Sequence, residues 1–498
     1  MKLTRFFSVF LVCFSFLCAP SFAADAAPKK AKNVILMIAD GCGYNSYLAG
    51  SYWKSGSAAE EITAKFPVHV GMSTFSIKKG VDPDGDLSSG YDPKKIWNIG
   101  GMAFRTENDM TGVTDSAAAA TALYTGRKTL NGRIATDEGK NPIKLLAEYA
   151  ADQRKSSGAI SSVMVSHATP ATFGAHDKSR GDYETIFNYM LDQGPLSVMM
   201  GTGHPFYNRG NKIDFGVDKN GKPEEPNYQY LGGEATWKRL NNPGPDDDFL
   251  FFDSVEDFRR MSQANMTIPE KVIGIAREYG SLIAKDGHGN DPEAKERVQK
   301  RYAHAKSDDL PTLSEMTIAS ITLLSRNTKG FVLMVEGGAI DGANHSRNID
   351  QSVMETASFL KAIETVYEWV EDFSSWDETL VIITADHETG DIWGPGTYDD
   401  ENDNKTFDKE EKFNGFRKVV NNGKGKVPSV QYGYGSHTNQ LVPLWAKGPG
   451  AELFEKRVRG VDKKMAEIFS EFKTPANNFH GQYVDNTDIV PVVLEVMK

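Results

Sequence analysis

Cysteine is almost absent. The 498 residues hold three, Cys13, Cys18 and Cys42. The first two fall within residues 1–23, which read as a secretory leader. Lys2 and Arg5 give it a positive start, Phe6 to Ala19 is nearly all apolar, and Ser21-Phe22-Ala23 is a small-x-small cleavage site. Cys18 follows Leu17 rather than a small residue, so no lipoprotein signal is read. Without the leader only Cys42 remains, which excludes an intramolecular disulfide. An exported chain of this kind is expected to depend on its core and on bound metals. Long apolar runs are also missing. Beyond the leader no stretch of about 18 apolar residues follows, so no transmembrane segment is expected. Positive charge is in deficit, with 56 Lys and Arg against 67 Asp and Glu. That balance argues against a nucleic-acid-binding module, although local charge decides whether an anionic substrate can bind. Internal repeats and heptads are absent too. The expected product is an exported protein, periplasmic or secreted.

What is present is a recurring pattern of buried strand followed by a polar residue. Asn33–Ala39 is rich in branched apolar residues and ends in Asp40-Gly41. Phe331–Val335 ends in Glu336-Gly337-Gly338, Leu380–Ala385 in Asp386-His387, and Ser161–Ser166 in His167-Ala168-Thr169-Pro170. Helical periodicity marks 143–151, 313–325 and 351–371, and 488–497 reads as a final helix. Strands alternating with helices predict an α/β three-layer sandwich, with a large mostly parallel central sheet and helices on both faces. Residues 24–498 are long enough for one enlarged α/β domain or two to three smaller ones. Two stretches rich in Gly, Asn, Asp and Lys, about 203–308 and 391–432, are expected to be rim insertions rather than sheet strands. The acid run Asp399–Asn404 is expected to be a solvated loop, and Asp82–Asp86 a turn, because its Gly85 lies one position early for a calcium loop.

In open α/β sheets ligands bind beyond the carboxyl ends of the strands, so the polar residues there are the candidate site. Asp341 and His345 stand at i and i+4, on one face of a helical turn. With His437 they could hold one zinc ion. Asp40, Asp386 and His387, with the oxygen of Ser116, could hold a second. Glu336 and Thr169 are oxygen donors, and with Asp40 shared they suit a harder ion such as magnesium. Ser116 opens an alanine-rich helix predicted over 116–124 and stopped by Gly126. Free N–H groups at such a terminus favour an anion, although an N-capping serine is the common structural role there. Arg180 can grip two phosphate oxygens. His69, His204, His288, His304 and His480 lie outside this setting and are read as structural or surface residues.

Together these residues resemble the alkaline phosphatase family. The resemblance rests on Asp40-Gly41, Val113–Thr121, His167–Pro170 through Arg180, Glu336–Asp341 through His345, Thr384–His387 and His437-Thr438. It implies a metal-dependent phosphomonoesterase that forms a phosphoserine at Ser116 and is commonly a homodimer. It also implies Asp341, His345 and His437 on one zinc, Asp40, Asp386 and His387 on another, and Asp40, Thr169 and Glu336 on magnesium. Arg180 would bind the phosphate, with Asp115 in a supporting role that orients it. Two positions depart from part of the family. His167 stands where some relatives have aspartate, which could favour zinc or cobalt at the third site. Gly342 is small where relatives carry lysine, histidine or tryptophan, which opens the pocket to bulkier substrates. The competing readings are a phosphodiesterase of the same superfamily, which typically uses threonine and lacks the arginine, and a non-catalytic metal-dependent binding protein.

Overall fold

The computed structural model describes residues 29–497 apart from 58–60, 98–109, 209, 218–221, 264–268, 270, 284–308, 400–412 and 473–478. The predicted leader, His288, His304 and all of the acid run after Asp399 therefore lie outside the described residues.

Eleven described strands form one sheet. In chain order they are β1 Asn33–Ala39, β2 Val68–Ser73, β3 Ser156–Met164, β4 Val198–Thr202, β5 Phe249–Phe252, β6 Lys271–Ile275, β7 Phe331–Gly337, β8 Thr379–Thr384, β9 Val442–Lys447, β10 Gly460–Val461 and β11 Gln482–Asp485. Their order across the sheet is β10-β11-β2-β9-β8-β1-β7-β3-β4-β6-β5. From β8 through β1, β7, β3, β4 and β6 to β5 every neighbour is parallel. β9 runs antiparallel to both β8 and β2. Every residue of β1 is buried. A strand buried along both of its faces needs cover on both sides of the sheet. The main described helices are α1 Tyr44–Ser55, α2 Ser116–Thr125, α3 Leu146–Asp152, α4 Ala168–Gly174, α5 Tyr183–Asp192, α6 Leu313–Leu324, α7 Ile340–His345, α8 Ile349–Phe373 and α9 Ile489–Met497.

This topology aligns the strand ends that matter. β7, β1 and β8 are consecutive, with Ile38 opposite Glu336 on one side and Thr384 on the other. Asp40, Glu336 and Asp386 therefore emerge at one edge of the sheet. β3 lies beside β7, so the loop after it and the first turn of α4 bring His167 and Thr169 to the same edge.

The mostly parallel α/β architecture agrees with the expectation, but one part of the rim reading is corrected. Phe249–Phe252 and Lys271–Ile275 are not rim insertions; they are β5 and β6, the parallel outer strands of the main sheet. At four and five residues they are short, and the polar stretches around them dilute their apolar signal. In the second stretch Ile392–Trp393 pairs with Gln431–Tyr432 as a separate two-residue ribbon. β3 starts at Ser156 and ends at Met164, earlier than the predicted 161–166.

Candidate active site

Ser116 is the first residue of α2 and is buried. Asp115 caps the helix, its Oδ1 accepting from Ala118 N at 3.0 Å. Gly126, at φ 73°, ends the helix in the left-handed conformation. The alanines between are buried small residues that let the helix sit close to its neighbours. This fixes Ser116 Oγ 3.4 Å from His387 Nε2. His387 Nε2 lies 3.2 Å from Asp386 Oδ2 and 3.7 Å from Asp40 Oδ1, with all three residues fully buried.

A second group adjoins the first. Asp341 Oδ1 is 3.3 Å from His345 Nε2 and 3.4 Å from His437 Nε2. The spacing on α7 does bring Asp341 and His345 to one face. The two imidazoles point their Nε2 atoms at each other, 3.0 Å apart. His345 Nδ1 is 2.9 Å from Gly435 O and His437 Nδ1 is 2.8 Å from Thr114 O. A carbonyl only accepts, so both Nδ1 atoms carry hydrogen. In the neutral rings both Nε2 atoms are then lone pairs facing each other beside a carboxylate. A proton or a cation must lie between them.

The donor atoms fit metal ions by the same reasoning. Asp341, His345 and His437 each offer an atom within 4.8 Å of the others, and so do Asp40, Asp341 and His387. Asp341 thus faces both groups, whereas the sequence reading placed it in one. Both oxygens of Asp40, Oδ2 of Asp386, Oε1 of Glu336, Oγ1 of Thr169 and Nδ1 of His167 are buried without a hydrogen-bond partner. Such groups cost free energy unless something satisfies them. Burial, with the charges of Asp386, Asp341 and Glu336, pushes the Asp40 carboxyl well up. Burial likewise pushes Glu336 up to about 7 and Asp386 to about 6. Burial also opposes ionisation of Asp341, but His437, His387 and His345 outweigh it and hold that carboxyl far below the usual range. Buried His167 beside Arg180 is pushed down to about 4, which leaves it neutral and able to donate a lone pair.

Arg180 is held at the rim of this cluster. Its Nη1 donates to Asp115 Oδ2 at 3.0 Å, and Gly132 N donates to the same oxygen at 3.0 Å. Arg180 N donates to Gly132 O at 2.8 Å. Its Nη2 is 3.5 Å from His167 Nε2. Every residue predicted for the site is thus at the same edge of the sheet. Gly41 was unassigned, yet φ is +71° there, and a Cβ would lie 2.6 Å from Asp341 Cα. Glycine alone allows the loop after β1 to approach α7 so closely. Thr389, Ser161 and Ser162 were also missed. Thr389 stands two residues after His387 in an extended segment, so the period of two could have placed both on one face.

A profile of the alkaline phosphatase family matches residues 94–224 and 291–469, more than half of the chain. The chain belongs to the alkaline phosphatase family. It is accordingly a phosphatase, a hydrolase of phosphate monoesters that works with divalent metal ions. It is 28% identical over 441 residues to the alkaline phosphatase of Escherichia coli, covering 85% of this chain and 82% of that one. It is 30% identical over 300 residues to alkaline phosphatase 4 of Bacillus subtilis, covering 59% of this chain and 53% of that one. The match therefore spans about half the length of the Bacillus enzyme. The crystal structure of a cold-active alkaline phosphatase from Shewanella sp. superposes with a TM-score of 0.58 at 22% identity, covering 94% of this chain and 100% of that one. Among the described residues no helix is long and apolar enough to cross a membrane.

Proposed function

We propose that Ser116 is the nucleophile of this phosphatase and that hydrolysis passes through a phosphoserine. The observation that carries the reading is the position of Ser116 Oγ, at a helix N-terminus and 3.4 Å from His387 Nε2 within the cluster of unpartnered buried carboxylates. Asp341, His345 and His437 would hold one zinc ion, and Asp40, Asp386 and His387 a second. Asp40, Thr169 and Glu336 would hold magnesium, or zinc or cobalt where His167 contributes. Bound divalent ions supply positive charge that favours the serine alkoxide, neutralises phosphoryl oxygens and makes water a nucleophile at neutral pH.

The chain's own residues do the rest. The N-terminus of α2 presents free N–H groups towards the phosphoryl group. Arg180 uses its guanidinium on two phosphoryl oxygens, with Asp115 keeping it in place. A monoester has the dianionic end that such a grip requires, which favours monoesters over diesters. Ser116 gives up its hydroxyl proton to water, its Oγ attacks phosphorus, the P–O bond to the alcohol breaks, and the leaving oxygen takes a proton from water. Water then cleaves the phosphoserine, freeing inorganic phosphate and restoring the serine hydroxyl. Two displacements leave the configuration at phosphorus retained.

We also infer that the enzyme is exported, to the periplasm or beyond the cell, and works as a homodimer. The leader-like residues 1–23 support export, and the family resemblance supports the dimer. The deciding experiment is turnover of 4-nitrophenyl phosphate and of its bis-ester by the parent and by Ser116→Ala. The reading expects monoester preference, loss of nearly all turnover in the variant, retained zinc, and covalent phosphate trapped on the parent alone. Undiminished turnover in Ser116→Ala would end the serine assignment.

A further inference from the structure

β3 is irregular at the end that faces the site. Its register with β4 shifts between Ile160 and Met164. Within that bulge Ser161 Oγ accepts from Val163 N at 3.0 Å. The hydroxyl has one proton to give, and it goes to Oε2 of Glu336. Glu336 stands directly across from Ser161 in the parallel register of β7 and β3. The next residue, Ser162, accepts from Gly338 N at 2.9 Å. Successive side chains of a regular strand point to opposite faces. A bulge re-aims them, and here both serines reach the same Glu336–Gly338 turn. The turn is packed closely enough that a Cβ on Gly338 would lie 2.5 Å from Val163 Cγ2 and 3.0 Å from Glu336 Cδ.

The result is a carboxylate with two unequal oxygens. Oε2 of Glu336 is engaged by Ser161, while Oε1 is buried with no partner, as are Thr169 Oγ1 and both oxygens of Asp40. A carboxylate free at both oxygens can embrace a large ion from both. A carboxylate with one oxygen engaged offers a single donor, which suits a small octahedral ion. Residues that hold a ligand in this way affect metal affinity by about 10–100-fold.

We propose that Ser161 is a positioning residue that makes Glu336 a one-oxygen ligand, so that the bulge in β3 sets the third site's preference for magnesium over calcium. This rests on the assignment of Asp40, Thr169 and Glu336 to a third ion. Ser161→Ala frees Oε2, Ser161→Cys keeps the volume but weakens the bond, and Ser161→Thr keeps the donor.

The test uses full-length protein with its zinc sites filled, and follows the unfolding temperature and calorimetric binding as Mg2+ or Ca2+ is added. For Ser161→Ala the Mg2+ midpoint should rise about tenfold or more. The Ca2+ midpoint should move less, so the preference for magnesium narrows. Ser161→Cys should fall between Ser161→Ala and the parent, and Ser161→Thr should stay near the parent. Unchanged midpoints in both Ser161→Ala and Ser161→Cys would overturn the inference alone. A lower unfolding temperature in Ser161→Ala with the parent's Mg2+ midpoint would also overturn it, since Ser161 would then be purely structural. A parent that shows no saturable response to Mg2+ would overturn the third-ion assignment and this inference with it.

Discussion

Thr389 Oγ1 donates to Asp341 Oδ1 at 2.7 Å, onto the carboxylate oxygen that lies closest to both His345 and His437. The same hydroxyl is 3.3 Å from His387 Nδ1. Its one proton is committed to Asp341, so towards His387 it can only accept. That requires hydrogen on Nδ1 of His387 and leaves its Nε2 lone pair facing Asp40 and Ser116. One threonine thus orients a carboxylate and fixes an imidazole tautomer. Thr389→Val keeps the shape and removes the hydroxyl, and it should weaken zinc binding by about 10–100-fold in competition with a chelator. Thr389→Ser should remain near the parent. Equal zinc affinity in parent and Thr389→Val would remove this role.

Asp115 does two separable things with two oxygens. Oδ1 caps α2 through Ala118 N, and Oδ2 takes Arg180 Nη1 and Gly132 N. Asparagine caps a helix about as well as aspartate but carries no charge for the guanidinium. Asp115→Asn keeps the cap but turns an NH2 group towards Gly132 N and Arg180 Nη1, so it should lose a little unfolding temperature while competitive inhibition by inorganic phosphate weakens about tenfold, the scale of one charged hydrogen bond. Asp115→Ala should show both losses, with about 1 kcal/mol of stability gone through the missing cap. The two variants are compared by phosphate inhibition constants and by thermal unfolding. Phosphate inhibition equal to the parent's in Asp115→Asn would mean that Arg180 does not need this partner.

Much of this arrangement was legible in the sequence, for a physical reason. The centre of the sheet is built from strands buried on both faces, so β1, β7 and β8 read as unbroken apolar runs with a polar residue at the end. The outer strands were hidden. Phe249–Phe252 and Lys271–Ile275 are short and embedded in polar sequence, and no periodicity can emerge from four or five residues. Ligand-type residues were legible because Asp and His are conspicuous after an apolar strand. Their supports were not. Thr389, Ser161 and Ser162 are ordinary strand residues, and their importance depends on which oxygen they face across a register that the sequence does not display. Gly41 is similar, since the need for glycine comes from the approach of Asp341 Cα, some 300 residues away in the chain.

Glu355 on α8 supplies a pH prediction outside the proposed metal cluster. Its Oε1 is 2.6 Å from Ser281 Oγ, and Ser281 Oγ is 2.9 Å from Ile283 O. The serine has one proton. If Glu355 is protonated it donates to Ser281, which donates onward to Ile283, and both acceptors are satisfied. Burial pushes this carboxyl from 4.5 up to about 8. A group raised in the fold contributes stability that is complete below its unfolded value. That stability is lost as pH rises from there through about 8. Glu355→Gln keeps a donor for Ser281 and removes the titration. The variant and parent should differ little in stability near pH 5, and the variant should be the more stable by a few kcal/mol near pH 9. Denaturant unfolding at both values checks this. A parent whose stability relative to Glu355→Gln does not fall between them would show that the carboxyl is already ionised.

Metal removal should reveal the cost of bringing Asp40, Glu336 and Asp386 together. Without cations their pKa values are all raised, Glu336 to about 7 and Asp386 to about 6. Folding then requires either protonation or burial of several negative charges. In the metal-free protein the contribution of these groups is intact below their unfolded values near pH 4. It declines as pH rises from there through about 6 to 7, a window in which the unfolded chain has released protons that the fold retains. Metal binding reverses the demand, because ligand carboxylates must be ionised to bind. The metal-loaded and metal-free proteins should thus have similar unfolding temperatures near pH 5 and diverge steadily towards pH 8, with the loaded form the more stable. Calorimetric unfolding of chelated and zinc- and magnesium-loaded protein across that range measures the divergence. A gap that is constant with pH would mean that the buried carboxylates are not the groups the metals neutralise.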